Sequence, residues 1–232
     1  MPRKTFLRLP DVKRDAFITA CLDEFSRNDY DSASISAIVR NLGIAKGSVY
    51  QYFEDKKDLW LYLRQRAEQE RLRYLKEVYR SSFDDFYGYF AALQQKELLF
   101  SREHALESRF LFRAVSLETS SALHQEVEAW KQQQLRFYEK LVEAEKLIGS
   151  LDASLRNRTA AMFLQSVSHT LREYLAGVSA DVSPEESVNQ KESMTVIDRI
   201  KGVFSSGSTD PYEEAETLVS ELMTMVRKAL VG

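Results

Sequence analysis

A single cysteine, Cys21, stands in a chain of 232 residues. One thiol excludes an intramolecular disulfide and any cysteine-rich zinc site. Glycine and proline are also scarce, eight and four, and two of the prolines (Pro2 and Pro10) precede the first helical pattern. So few breakers, with abundant Leu, Ala, Glu, Gln, Lys and Arg, argue for an all-α chain. No alternating β-branched run or Asn-Gly hairpin signal competes. No apolar run reaches the length of a membrane span. The basic start, Met1 to Arg8, lacks the apolar stretch of a signal peptide. A cytoplasmic protein with no membrane partner is expected. His104, His124 and His169 are scattered and lack metal-ligand spacing with carboxylates, so no metal site is expected. Nucleophile elbow, phosphate-binding loop and dinucleotide fingerprint are all missing, which argues against an enzyme or a bound cofactor. Charge of one sign is lacking too. The net is −3, and residues 1–60 hold ten Lys and Arg against nine Asp and Glu. Bulk charge therefore does not advertise a nucleic-acid binder. Cys21 shares an apolar helical face with Phe17, Ile18, Leu22 and Phe25 and reads as a core residue.

The informative stretch is Ala33 to Lys56. Ser34 suits the N-cap of a helix from Ile35 to Leu42. Ile35, Ile38, Val39 and Leu42 fall at i, i+3, i+4 and i+7 and form one buried stripe. Gly43 supplies the left-handed residue that ends the helix. A short second helix is expected from about Ala45 to Tyr52, with Val49 and Phe53 facing inward. Helix, tight glycine turn and helix is the helix-turn-helix pattern, whose second helix enters the major groove of DNA. The candidate DNA-contacting residues are Ser34, Lys46, Gly47, Ser48, Tyr50, Gln51, Tyr52 and Lys56. Lys46 can reach a phosphate or a guanine edge. Ser48 and Gln51 can hydrogen-bond base edges. Gly47 permits close backbone approach, while Tyr50, Tyr52 and Lys56 offer donors to phosphates. Ser34, at a helix N-terminus, can bind a phosphate through its backbone N–H. Arg3, Lys4 and Arg8 read either as a basic arm toward DNA or as a solvated tail.

The run Lys46-Gly47-Ser48-Val49-Tyr50, followed by Tyr52-Phe53 and Asp55-Lys56, resembles the DNA-binding motif of the TetR family of bacterial transcriptional regulators. The likeness is strong over roughly the first sixty residues. Val39, Leu42 and Ala45 depart from the family pattern, and Ala45 removes a side-chain cap from the start of the second helix. The resemblance implies a three-helix DNA-binding domain, 1–55. A long helix joins it to a helical effector-binding and dimerisation domain, 56–232. It implies a homodimer on double-stranded operator DNA, a repressor released by a small hydrophobic or amphipathic effector. Two other readings stay open: a helical protein that binds a lipid-like molecule, and a DNA-binding regulator without an effector.

Beyond the motif, a helix is expected from Asp11 to about Asn28 and a long one from about Lys56 to Tyr79. Further helices fit 83–99, 103–120, 122–148 (ended by Gly149), 152–176 (ended by Gly177) and 212–230. The stretch 178–209 reads as a connection with one helix near 192–204. The stripes on 159–174 and 215–230 suit a helix pair. In the family these last helices form the intersubunit four-helix bundle, which points to Met162, Val167, Leu171, Leu218, Leu222 and Val226 as dimer contacts. Aromatics crowd residues 83–138, and cavities between helices are the usual ligand sites. The candidate effector residues are Phe90, Phe110, Arg113, Trp130, Phe137, Phe163 and Thr170. Arg113 reads equally as a surface cation paired with Glu107 or Glu118. His169 reads as cavity lining or as a hydrogen-bonded core residue.

Overall fold

The computed structural model describes residues 2–181 and 211–230, all helix and connection with no strand among them. The first helix, α1 (Lys4–Leu7), is a single turn in the basic start and has no counterpart in the sequence pattern. Helix α2 (Asp11–Arg27) follows Pro10, and Asp11 places a carboxylate in the first turn, where the helix dipole favours it. Ser34 caps α3 (Ile35–Leu42) by accepting the Ala37 N–H at 3.2 Å. Gly43 follows at φ 64°, so the Gly43 and Ile44 N–H groups fold back onto the Arg40 and Val39 carbonyls. Helix α4 (Lys46–Tyr52) starts from Ala45 without a side-chain cap. Asp55 caps α5 (Lys56–Leu75) by accepting the Asp58 N–H at 2.7 Å.

The remaining helices are α6 (Phe86–Glu103), α7 (Ala105–Phe112), α8 (His124–Leu147), α9 (Asn157–Asp181) and α10 (Pro211–Leu230). The expected helix over 103–120 breaks up. After α7 the chain widens into one π-helical turn, Arg113–Leu117, closed by the Glu118 N–H on the Arg113 carbonyl at 3.0 Å. Such a turn holds one residue too many for an α-helix and is frequently found at functional positions. Gly149, at φ 74°, follows α8 as expected. Gly177 does not end α9, which runs on to Asp181. A helical glycine only weakens a helix by about 1 kcal/mol relative to Ala, less than tertiary packing supplies. The connection over 182–210, with the expected helix near 192–204, lies outside the described residues.

Packing joins the two expected domains instead of separating them. The core around Phe17, Phe25, Ile38 and Phe53 continues without a gap through Trp60, Leu63, Phe110, Leu123 and Val127. Helix α7 packs on α2, α5 and α9, so it bridges the DNA-side helices and the C-terminal bundle. A second core gathers Phe86, Phe90, Val142, Leu164 and Val226, and a third gathers Leu98, Leu171, Tyr174 and Val219.

These cores correct part of the expected dimer surface. Val167, Leu171 and Val226 are 7 %, 0 % and 0 % exposed in the single chain, so they fill its own core. Leu218 and Leu222 are half-buried against those cores. Met162 keeps 53 % of its surface open. The apolar faces of α9 and α10 are wide, and their inner edge packs within the protomer. Periodicity locates such a face but not what covers it.

Candidate nucleic-acid interface and interhelical cavity

Helix α4 is held from beneath by Val49, 2 % exposed, and by Phe53 after it, fully buried. That anchoring turns Lys46, Gly47, Tyr50 and Gln51 outward, with Ser48 half-buried beside them. A Cβ added at Gly47 would meet nothing within 4 Å, so the helix presents bare backbone there. The outward face thus carries an ammonium, an amide, hydroxyls and close-approach backbone, the donor set that reads base edges and phosphates.

Three residues of the expected set are engaged within the protein. The Ser34 N–H, expected to be free for a phosphate, donates to Glu24 Oε1 at 2.7 Å. The cap that starts α3 is itself fastened to α2, which leaves the Ser34 amide no free donor. The Lys56 ammonium donates to the Ala33 carbonyl at 2.7 Å and to Asp31 O at 3.2 Å, and lies 4.7 Å over the Tyr30 ring. It clamps the loop ahead of α3. Tyr52 is half-buried, its ring 5.7 Å from Phe6 and 5.6 Å from Phe17.

The N-terminal segment is neither a free arm nor a solvated tail. The Arg3 N–H donates to the Tyr52 carbonyl at 2.8 Å and Arg3 Nη1 to the Tyr50 carbonyl at 2.9 Å. The Thr5 hydroxyl donates to the Gln51 carbonyl. Three carbonyls in the last turn of α4, which no intrahelical donor reaches, are thereby satisfied from outside. Phe6, fully buried among Phe17, Tyr52, Phe53 and Tyr62, pins the segment in place. The only sequence signal for this was one large aromatic inside a basic stretch.

The C-terminal part holds a cavity between α5, α7, the π turn, α8 and α9. Its lining is Glu68, Arg71, Leu111, Phe112, Val115, Ser116, Gln134, His169 and Arg172. At about 20 Å³ it admits roughly one ordered water. None of the seven expected effector residues lines it. Phe90 and Phe110 are fully buried in two different cores. Trp130 stacks on Trp60, Phe163 packs at the edge of the second core, and Phe137 is exposed. Arg113 has no ion pair to Glu107 or Glu118, and its Nε is buried without a hydrogen-bond partner among the described residues. Large aromatics fill space, and space forms where smaller and polar side chains meet. The lining positions are the immediate neighbours of several expected ones: Phe112 and His169 sit beside Arg113 and Thr170.

The cavity floor is ionic. Arg71 grips Glu68 through two hydrogen bonds, 2.9 and 3.1 Å, and also holds Glu97. Burial works against the Arg71 charge, but Glu97 and Glu68 outweigh it and keep the guanidinium above its ordinary pKa. Burial likewise works against the Glu68 carboxylate, yet Arg71 beside it leaves it below the ordinary range. Arg64, stacked 3.7 Å over Trp130, is pushed down to about 10 by burial. His169 Nε2 shares a 2.9 Å hydrogen bond with the Ser116 hydroxyl. Burial first, and the Arg172 charge second, hold His169 below the usual imidazole value, so it is neutral at pH 7.

A physical route runs from this cavity to the helix-turn-helix. Val115 and Ser116 belong to the π turn. The next residue but one, Glu118, accepts the Tyr30 N–H at 2.9 Å, and Ser120 donates to Asp31 at 2.9 Å. Tyr30 and Asp31 are in the loop that leads into α3, the loop Lys56 clamps from the other side.

Comparison with known proteins adds the lineage. A family model described as bacterial regulatory proteins of the tetR family matches residues 17–63, from within α2 into α5. A TetR-family transcriptional regulator from Chloroflexus aurantiacus J-10-FL is 26% identical and superimposes with a TM-score of 0.72, over 99% of this chain and 98% of that one. Residues 17–63 match the TetR-family DNA-binding domain, and the whole chain shares the fold of a TetR-family regulator. That domain is the DNA-binding helix-turn-helix of bacterial transcriptional regulators. The fatty acid degradation regulator FadR of Bacillus halodurans shares the fold at 15% identity and a TM-score of 0.61, over 94% and 96% of the two chains. So does FadR from Bacillus subtilis, solved with stearoyl-CoA, at 15% identity and a TM-score of 0.60, over 90% and 97%. The sequence matches no curated protein significantly. The α1 segment that caps the recognition helix precedes the residues matched by the family model. No helix among the described residues is long and apolar enough to cross a membrane.

Proposed function

We propose that this regulator is a homodimeric repressor that a small molecule releases from its operator. The observation that carries the reading is the continuous path just described. The cavity wall includes the π turn, and the residues just after that turn hold the loop that positions α3. A molecule that enlarges the cavity displaces the π turn and loosens Glu118 from the Tyr30 N–H. Two recognition helices in a dimer must lie about 34–36 Å apart to read successive major grooves. A tilt of α3 and α4 breaks that spacing. A hundredfold loss of operator affinity requires only about 2.7 kcal/mol of differential effector binding between the two conformations. The stearoyl-CoA complex of Bacillus subtilis FadR supports the reading, because a protein of this fold takes a small-molecule ligand. A hydrophobic or amphipathic effector for this chain remains part of the proposal.

In this reading Lys46, Gly47, Ser48, Tyr50 and Gln51 meet DNA directly. Ser34, Tyr52 and Lys56 act by holding α3 and α4 in place. The test is to recover bound genomic fragments and then measure affinity for the recovered operator against salt. Lys46→Ala is expected to weaken binding uniformly and reduce the salt slope by about one. Gln51→Ala is expected to relax base preference at about 1–3 kcal/mol. Unchanged affinity and preference in both variants would remove α4 from the interface.

The dimer is assigned to the outward faces of α9 and α10. Met162 and Met225, 53 % and 63 % exposed in the single chain, are large apolar side chains facing solvent there. Sedimentation at micromolar concentration is expected to give a dimer. The double variant Met162→Glu, Met225→Glu is expected to give a folded monomer, because an unpaired charge in an apolar interface is costly. A wild-type monomer, with or without operator, would defeat the assignment.

A further inference from the structure

We propose that the effector is a small monoanion, a single carboxylate on a compact apolar body, held by Arg172. This rests on the effector-release reading and names the ligand class for the same cavity. The lining guanidinium groups differ in their partners. Three guanidinium groups, Arg64, Arg71 and Arg172, stand at or beside the cavity, with the carboxylates Glu68 and Glu97 among them and Glu173 next to Arg172 on α9. His169 is neutral. Arg71 is consumed by Glu68 and Glu97 together. Arg64 lies on the Trp130 face with Glu68 one helical turn away. Arg172 lines the cavity half-buried and makes no hydrogen bond or ion pair with any of the described residues. Arg172 is therefore the guanidinium of the lining whose hydrogen-bond donors have no partner among the described residues, although its charge also bears on Glu68.

The other polar groups around Arg172 are suited to an acceptor-rich ligand. Ser116 and His169 form a neutral hydroxyl–imidazole pair, with one proton free to turn toward a ligand, and Gln134 brings an amide. Leu111, Phe112 and Val115 supply an apolar wall for the ligand body. Glu68 is the one anion in the lining, and Arg71 already neutralises it. A neutral apolar ligand would bury the Arg172 charge without compensation, which is unfavourable. A cationic ligand would add a second unmatched charge. A dianion would overshoot the single guanidinium without a hydrogen-bonded partner. The cavity admits roughly one water, so a carboxylic acid enters only if it opens. Phe112, Val115 and Ser116 belong to the end of α7 and the π turn, the elements that lead to the Tyr30 loop. Ligand entry and operator release then share one movement.

The test is calorimetric titration of the full chain with hexanoate and benzoate. Hexanamide and benzamide serve as uncharged isosteres, hexylamine as a cation and inorganic phosphate as a plain anion. Operator affinity is measured with and without each compound. The expected result is that a carboxylate binds at least tenfold tighter than its amide, about 1.4 kcal/mol, and weakens operator binding. Arg172→Gln should abolish that preference. Arg172→Lys, which retains the charge, should keep a fraction of it and guards against a folding artefact. Equal binding of acid and amide, tighter binding of hexylamine or phosphate, an unaltered preference in Arg172→Gln, or no binding of any carboxylate would each overturn the proposal. Failure of the parent reading looks different: the ligand-free protein would then show no specific operator affinity, or carboxylate binding would leave that affinity untouched.

Discussion

Replacing Arg71 with methionine is expected to lower the unfolding free energy by about 3–5 kcal/mol at pH 7, the cost of leaving buried carboxylates without their cation. Glu97 is 7 % exposed and Glu68 is largely enclosed, so neither gains enough water to compensate. The pH dependence has a definite sign. Glu68 has a folded pKa below its unfolded value, so its contribution is present above the unfolded carboxylate pKa, about 4.3, and is lost as pH falls below it. In the variant that contribution disappears. The gap between wild type and Arg71→Met should therefore be widest near neutrality and narrow on acidification through the carboxylate range. Combining Arg71→Met with Glu68→Gln and Glu97→Gln should recover much of the loss, because the uncompensated charges go with it. Chemical denaturation at several pH values measures all of this. A loss below about 1 kcal/mol, or a gap independent of pH, would mean that the buried triad does not hold α5 to α6 as described.

The second large effect belongs to Phe6. Phe6→Ala is expected to cost about 3–5 kcal/mol if the α1 segment folds as one unit with the helix-turn-helix, since a fully buried ring is removed from contact with four others. Operator affinity should fall as well, because Arg3 and Thr5 then lose their grip on the last turn of the recognition helix. Lys4→Ala and Arg8→Ala are the controls. Both side chains are exposed, so these variants should leave stability nearly unchanged. If Phe6→Ala matches wild type in denaturation and operator binding, the segment is not the clamp described here.

The parts legible in the sequence were those decided by neighbours in the chain. Ser34 and Gly43 delimit α3 through a side-chain cap and a left-handed residue, and both act within a few residues. Val49 and Phe53 were placed correctly because a two-turn helix with one apolar edge has only one way to face a core. Long-range placement was less legible. Nothing near Lys56 announces that its ammonium will find the Asp31 and Ala33 carbonyls, and nothing near Ser34 announces Glu24. The π turn cannot be read from Arg113 to Leu117, because an extra residue in a helix leaves no mark on composition. It also shifts the phase of everything around it. The expected pocket residues were chosen without a register, so Phe90 and Phe110 turn out to fill cores and Phe137 to face solvent. Val167, Leu171 and Val226 were expected at a dimer interface, but they fill the core of their own chain.

The stacked Trp60 and Trp130 have a practical consequence. They are the only two tryptophans in the chain, with ring centroids 5.5 Å apart and planes within 22° of parallel. One belongs to α5 just beyond the recognition helix, the other to α8 in the C-terminal bundle. Indoles that close couple their excited states, so the pair should give a split circular-dichroism band whose size follows their mutual angle. The Arg64 guanidinium against Trp130 makes its emission sensitive to any shift of α5 along α8. The molecule thus carries an internal optical gauge of the contact between α5 and α8, readable without any label.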